Sequence, residues 1–242
     1  MTTNAWLDGH QFDLQDLAEL LSLGDVRVVR EDDSYYLTSP EIDHPPQGAT
    51  FYEVAASLLA HVNGLGRVKN PSFRPVELNG KYTEGESQHG ESQHYVVSPA
   101  PAEIRVRTWA AGVVTKSDGT IVPDPPSPWP DRFALAETNP DVAKVLQIMS
   151  SGEKLDWVAL YKVYEKVERD IKRATIVKLG WATDDEISAF TGSANNYKVS
   201  GDAARHAVDK GSGYPKHTMT IDEGRAFISD LVTKWLGSLA GD

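Results

Sequence analysis

The chain has 242 residues, enough for one large domain or two modest ones that each bury a core. Apolar residues make up 40 %, with six Trp and nine Tyr, which excludes a disordered chain. A net charge of −11 argues against an extended DNA-binding surface, and the absence of cysteine excludes a disulfide framework, thiolate zinc sites and a cysteine nucleophile.

The first residues, MTTNAWLDGHQFDLQDL, lack a basic region followed by an apolar run, so no secretory signal is expected. No stretch reaches the ~20 apolar residues that cross a bilayer, and the expectation is a cytoplasmic protein without a membrane partner. Leu14, Leu17, Ala18 and Leu21 keep helical spacing after Asp13 until Gly24. Val26–Arg30 and Tyr35–Thr38, separated by Glu31-Asp32-Asp33, predict a β-hairpin. Val54, Ala55, Leu58, Leu59 and Val62 lie on one helix face, and Asn63-Gly64 predicts its end. Arg67–Leu78, Tyr95–Val97 and Ile104–Thr115 predict strands, and Asp118-Gly119 a further hairpin turn. One antiparallel sheet with a packed helix accounts for this half.

GESQH occurs at Gly85–His89 and again at Gly90–His94. A short tandem duplication reads as an exposed insertion, and His89 and His94 without fixed partners make a poor metal site; no metal and no cofactor are expected.

VPDPPSPWPD, Val122–Asp131, carries five prolines in ten residues and predicts a stiff connector that joins neither a helix nor a central strand. The expected division is therefore an acidic α+β domain over 1–121, a linker over 122–131 and a helical domain over 132–242. Residues 1–130 hold 9 Lys+Arg against 18 Asp+Glu, a balance of −9, and residues 131–242 hold 15 against 17, a balance of −2.

Beyond the linker the pattern is helical. Asn139-Pro140 is an N-cap with proline at the first helical position, and Val142, Val145, Leu146 and Met149 follow on one face. Asp156–Lys178 predicts the longest helix, with Trp157, Leu160, Tyr161, Tyr164, Val167, Ile171 and Ala174 along a stripe and Glu165/Arg169 and Glu168/Lys172 at ion-pair spacing. Thr183–Glu186 and Thr220–Glu223 match the capping box. The fold class is α+β, closing in a bundle of four or five helices.

The candidate chemistry gathers between the last two of these helices, in SANNYKVSGDAARHAVDKGSGYPK from Ser193 to Lys216. Asp202–Lys210 predicts two helical turns with Asp202 as N-cap, which sets Asp202 and His206 on one face. A carboxylate beside a histidine fixes the ring for general acid–base work, and Arg205 suits a phosphate. The bland alternative leaves Asp202 as a cap, Arg205 paired with Asp209 and His206 hydrogen-bonded in the bundle. Asn195, Asn196, Tyr197, Lys198, Lys216 and His217 are the candidate ligand contacts, although asparagine-rich stretches are first of all turn formers. Linear signatures of nucleotide, zinc-protease, serine-hydrolase and calcium sites are absent.

DWVALYKVYEKVERD (Asp156–Asp170), FTGSANNYKVSGDAARHA (Phe190–Ala207) and MTIDEGRAFISDLVTKWL (Met219–Leu236), in that order, resemble a family of uncharacterised bacterial proteins, a likeness that implies no activity. The aromatic helix, the Arg/His-bearing segment and the closing helix are also distantly similar to HEPN domains. That resemblance implies a helical, often dimeric, metal-independent ribonuclease of a toxin or phage-defence system, with His206 as acid/base, Arg205 on the scissile phosphate, Asp202 orienting His206, and Asn196 and Lys198 on RNA. The HEPN pattern places its arginine several residues before its histidine, whereas Arg205 and His206 are adjacent. The leading expectation is a non-enzymatic recognition protein that binds a protein partner or a small anionic ligand through Asn195–His217. The ribonuclease, with RNA as partner and a homodimer admitted, is the alternative, and an assembly component is the third.

Overall fold

The structure, a computed structural model, describes residues 2–85, the backbone of 92–95, and residues 126–152, 154–206 and 213–242. Five antiparallel strands form one sheet in the order β2-β3-β1-β4-β5: β1 Thr3–Asp8, β2 Arg27–Glu31, β3 Ser34–Thr38, β4 Glu77–Glu84 and β5 Ser92–Tyr95. The predicted hairpin is β2–β3, with Asp32 at φ 53° in its turn. Sequence reading missed β1, although it is the central strand. Its contiguous Ala5-Trp6-Leu7 is buried on both faces, so it lacks the polar–apolar alternation that marks a half-exposed strand. A register shift between Ala5 and Leu7 adapts β1 to β4.

Helices α1 (Gln11–Leu20), α2 (Pro40–Asp43) and α3 (Phe51–Lys69) follow from the same half. Two predicted boundaries are corrected here. Helix α3 does not stop at Asn63-Gly64 but continues to Lys69, and the predicted strand from Arg67 begins only at Glu77. The reason is packing. A Cβ on Gly64 would fall on the carbonyl of Leu146, so this glycine lets α3 and α5 approach each other rather than ending a helix. Asn63 is equally engaged, exchanging two 2.9 Å hydrogen bonds with the backbone of Val76.

The remaining helices are α4 (Trp129–Thr138), α5 (Pro140–Met149), α6 (Trp157–Ile171), α7 (Arg173–Lys178), α8 (Asp184–Asn195), α9 (Tyr197–Ser200) and α10 (Ile221–Ala240). Five of them have ten or more residues, which meets the expected bundle. The proline-rich stretch was expected to join no helix, yet its last residues open α4. Pro130 sits in the first turn, where no backbone N–H is required, and Trp129 is buried in the core. The expected single helix over Asp156–Lys178 is instead two. Lys172, at φ 65° and ψ 137°, breaks it, and α10 with 20 residues is the longest. The expected i,i+4 pairs give way to tertiary ones: Arg169 binds Asp141 and Glu165 accepts from Arg205.

The apolar core runs without a break from the sheet, through α3, into α5, α6 and α10. None of the helices among the described residues is long and apolar enough to cross a membrane. The strands expected over Ile104–Thr115, the turn at Asp118-Gly119, the linker residues 122–125, His89 and the side chain of His94 lie outside the described residues.

Candidate recognition surface

Helix α8 carries the candidate segment. Its N-terminus is fixed by the Thr183 capping box, in which the Thr183 backbone N–H and hydroxyl both donate to Glu186 at 2.7 Å and hold that carboxyl below its ordinary pKa. Ile187, Phe190 and Ala194 bury one face, with Phe190 stacked on Phe227 at 5.1 Å and tilted against Trp157 and Tyr164.

The end of α8 is fastened by polar side chains that sequence reading offered as ligand contacts. Asn195 donates to the Thr191 carbonyl at 2.9 Å, and its Oδ1 is buried without a partner among the described residues. Asn196 caps α9: its Oδ1 accepts from the Lys198 N–H at 2.9 Å while its Nδ2 donates to the Gly213 carbonyl at 3.0 Å. Buried Ser193 adds two more ties, accepting from Met219 N at its hydroxyl and from the Ser200 hydroxyl at its carbonyl, both at 2.7 Å. A Cβ on Gly192 would lie 3.1 Å from Pro215, so the returning chain packs directly on the helix.

The predicted helix from Asp202 is not formed. Gly201–Ala203 is a single 3-10 turn, and Ala204 is extended at φ −64°, ψ 148°. The chain leaves the helical path because the Arg205 N–H is drawn to the Ala194 carbonyl at 2.8 Å and Ala204 is buried. Asp202 and His206 therefore do not share a helix face. Asp202 accepts from the Tyr197 hydroxyl at 3.3 Å instead, and half-buried His206 has no hydrogen-bond partner among the described residues. Residues 207–212, with Asp209 and Lys210, lie outside the described residues.

Arg205 turns towards α6. Its guanidinium donates to Glu165 at 3.1 Å and lies 4.3 Å from the centroid of the Tyr161 ring, an ion pair seated on an aromatic face. The Tyr161–Glu165 run is thus a core face with a solvated flank. Burial pushes the neighbouring Tyr164 hydroxyl up to about 12, so it stays protonated near neutrality. His217 Nε2 lies 3.6 Å from Asp185, just beyond hydrogen-bond reach. Among the described residues no cluster of three His, Asp or Glu side chains is placed to hold a metal.

What remains outward is a set of aromatic and cationic groups. Tyr197 is 38 % exposed and Tyr214 66 %, and Lys198 and Lys216 are exposed beside them. The Asn196–Gly213 hydrogen bond joins the two stretches, so the two tyrosines follow immediately on either side of it. Sequence reading missed Tyr214, whose signal was an aromatic residue between Gly213 and Pro215. No family model matches the chain, and neither does any curated protein or solved structure.

Proposed function

We propose that the chain is a non-enzymatic recognition protein that binds an acidic segment of a partner protein through Tyr197, Lys198, Tyr214 and Lys216. The observation that carries this reading is the pair of exposed tyrosines held on either side of the half-buried Asn196–Gly213 tie, each with a lysine close by in sequence. Tyrosines offer large contact area at little conformational cost, and a fastened backbone removes part of the ordering entropy of binding. On a chain of net charge −11, the lysines give an acidic partner a local attraction. A ribonuclease would need Arg205 on a phosphate, whereas one terminal nitrogen of its guanidinium is given to Glu165 and one face to Tyr161.

The test is fluorescence anisotropy with a labelled acidic peptide and a labelled oligoribonucleotide of equal charge. Tyr197→Ala with Tyr214→Ala is expected to weaken peptide binding by about tenfold or more, the effect of losing interface anchors. Peptide affinity unchanged in that double variant, or RNA cleavage in EDTA that disappears in His206→Ala, would overturn the reading, the latter in favour of the ribonuclease.

A further inference from the structure

A separate cleft of about 430 Å³ opens where the C-terminal end of α3, the turn after it, the loop before α6 and the N-terminal end of α10 converge. Arg67, Arg74, Lys154 and Arg225 line it, against one described carboxylate, Asp222. Such a concentration of positive charge is unexpected in a chain that carries −11. These groups come from three stretches far apart in sequence, Arg67 with Arg74, Lys154, and Arg225, so no linear motif announces them.

The floor is rigid. Arg67 is 2 % exposed, and its guanidinium donates to the carbonyls of Met149 at 2.9 Å, Ser151 at 2.8 Å and Gly152 at 2.6 Å. Burial and the nearby Arg225 cation pull its pKa down to about 10. Beside it the Phe73 ring closes on α3, at 2.8 Å from where a Cβ of Gly66 would stand. The rim is polar and adjustable. Arg225 is anchored through Nε to the Leu155 carbonyl at 2.9 Å and through one terminal nitrogen to Asp222 at 2.6 Å, while Lys154 is exposed.

We propose that this cleft binds a small phosphate monoester. Its dianionic head would be gripped by Arg74, Lys154 and Arg225 above buried Arg67, and a compact organic body would lie against exposed Pro71. Guanidinium and ammonium groups arriving from separate elements suit the tetrahedral oxygens of a phosphate better than the planar fork of one carboxylate, and the volume exceeds that of the bare ion. The site is distinct from the tyrosine surface and does not depend on it.

The experiment is calorimetric titration, with a thermal-shift series alongside, of the full chain with glycerol phosphate, inorganic phosphate and succinate at matched ionic strength. Saturable binding is expected, tightest for glycerol phosphate. Lys154→Gln should weaken it about threefold and Arg225→Gln about tenfold, the scale of exposed and partly buried charge contacts. Asp222→Asn should tighten it, because Arg225 loses its competing carboxylate, and a purely structural role for Asp222 would not produce that gain. Lys198→Gln, on the tyrosine surface, should leave it unchanged. The proposal is overturned by no saturable response to any of the three anions, by succinate binding tighter than both phosphates, or by affinity indifferent to Lys154→Gln and Asp222→Asn. The last two variants alter exposed groups, so they decide the matter even if Arg225→Gln does not fold.

Discussion

At Gly64 the sequence carries a signal that points two ways. Asn-Gly after an amphipathic run reads as a helix end, yet the same missing side chain is what permits two helices to touch. The structure uses the second meaning, with the Leu146 carbonyl occupying the space of a Cβ. This gives a substitution whose sign is diagnostic. In an exposed helix Gly→Ala stabilises by about 1 kcal/mol. Gly64→Ala is expected instead to destabilise by about 2 kcal/mol or more, because backbone rather than a flexible side chain must move. Urea denaturation of Gly64→Ala beside Gly213→Ala measures this, the latter remaining within about 0.5 kcal/mol since no atom of the described residues lies within 4 Å of its Cβ position. A more stable Gly64→Ala would contradict the close approach of α3 and α5. Asn196 teaches the same lesson at the candidate surface. Its residue type was legible as a turn former or a ligand contact, and only its bond to Gly213 shows that it fastens the surface rather than lining it.

Among the elements, helix starts were read well and helix interruptions poorly. The Thr183 and Thr220 capping boxes and the Asn139 cap are local devices, closed within three residues, and all are present. The break at Lys172 has no such local mark. A lysine continues the amphipathic pattern, but its φ of 65° turns the chain so that α7 leaves the line of α6 and Arg173 reaches Asp184 at 2.8 Å. That conformation costs a residue with a Cβ of the order of 1 kcal/mol. Lys172→Gly is therefore expected to leave stability unchanged or raise it by up to about 1 kcal/mol, despite losing the Lys172 Nζ bond to the Arg169 carbonyl. Thermal unfolding of Lys172→Gly against Lys172→Val checks it, the β-branched variant being expected to melt lower. The lost helix from Asp202 belongs at this scale too. Its periodicity favoured two turns, but the Ala194 carbonyl at the end of α8 takes the Arg205 N–H and bends the chain away.

For the whole molecule, the decisive element is α3. One of its faces meets the sheet and α1, another meets α5 and α10, and its last turn is locked by the Ser229 hydroxyl, which donates to the carbonyl of Val68 at 2.5 Å. Arg67 extends the same turn to three carbonyls of the α5–α6 connection. With the core unbroken across these contacts, the chain is expected to unfold in one calorimetric transition whose van't Hoff and calorimetric enthalpies agree. Two resolved transitions would show that the halves fold as separate units. The phosphate-ester cleft belongs to this scale as well, since its cations meet only because α3 and α10 are packed at one end of the molecule.

What the sequence determined by itself is whatever short-range chemistry decides: the α+β class, the β2–β3 hairpin, the apolar faces of α3, α5 and α6, the caps, and a polar segment after α8 rich in groups that make sites. Tertiary structure alone decided which of those groups face outward. Arg205 was taken up by Glu165 and Tyr161 and Asn196 by Gly213, while the rings of Tyr197 and Tyr214 keep exposed surface. The physical reason is the range of the forces. Caps and turns close within a few residues, whereas the hydrogen bonds that fasten the packed chain join residues 17 or more than 150 positions apart, as at Asn196–Gly213 and Ser229–Val68. Such partners are chosen by the packed chain, where desolvation makes an unpaired polar group costly, and no local pattern records them.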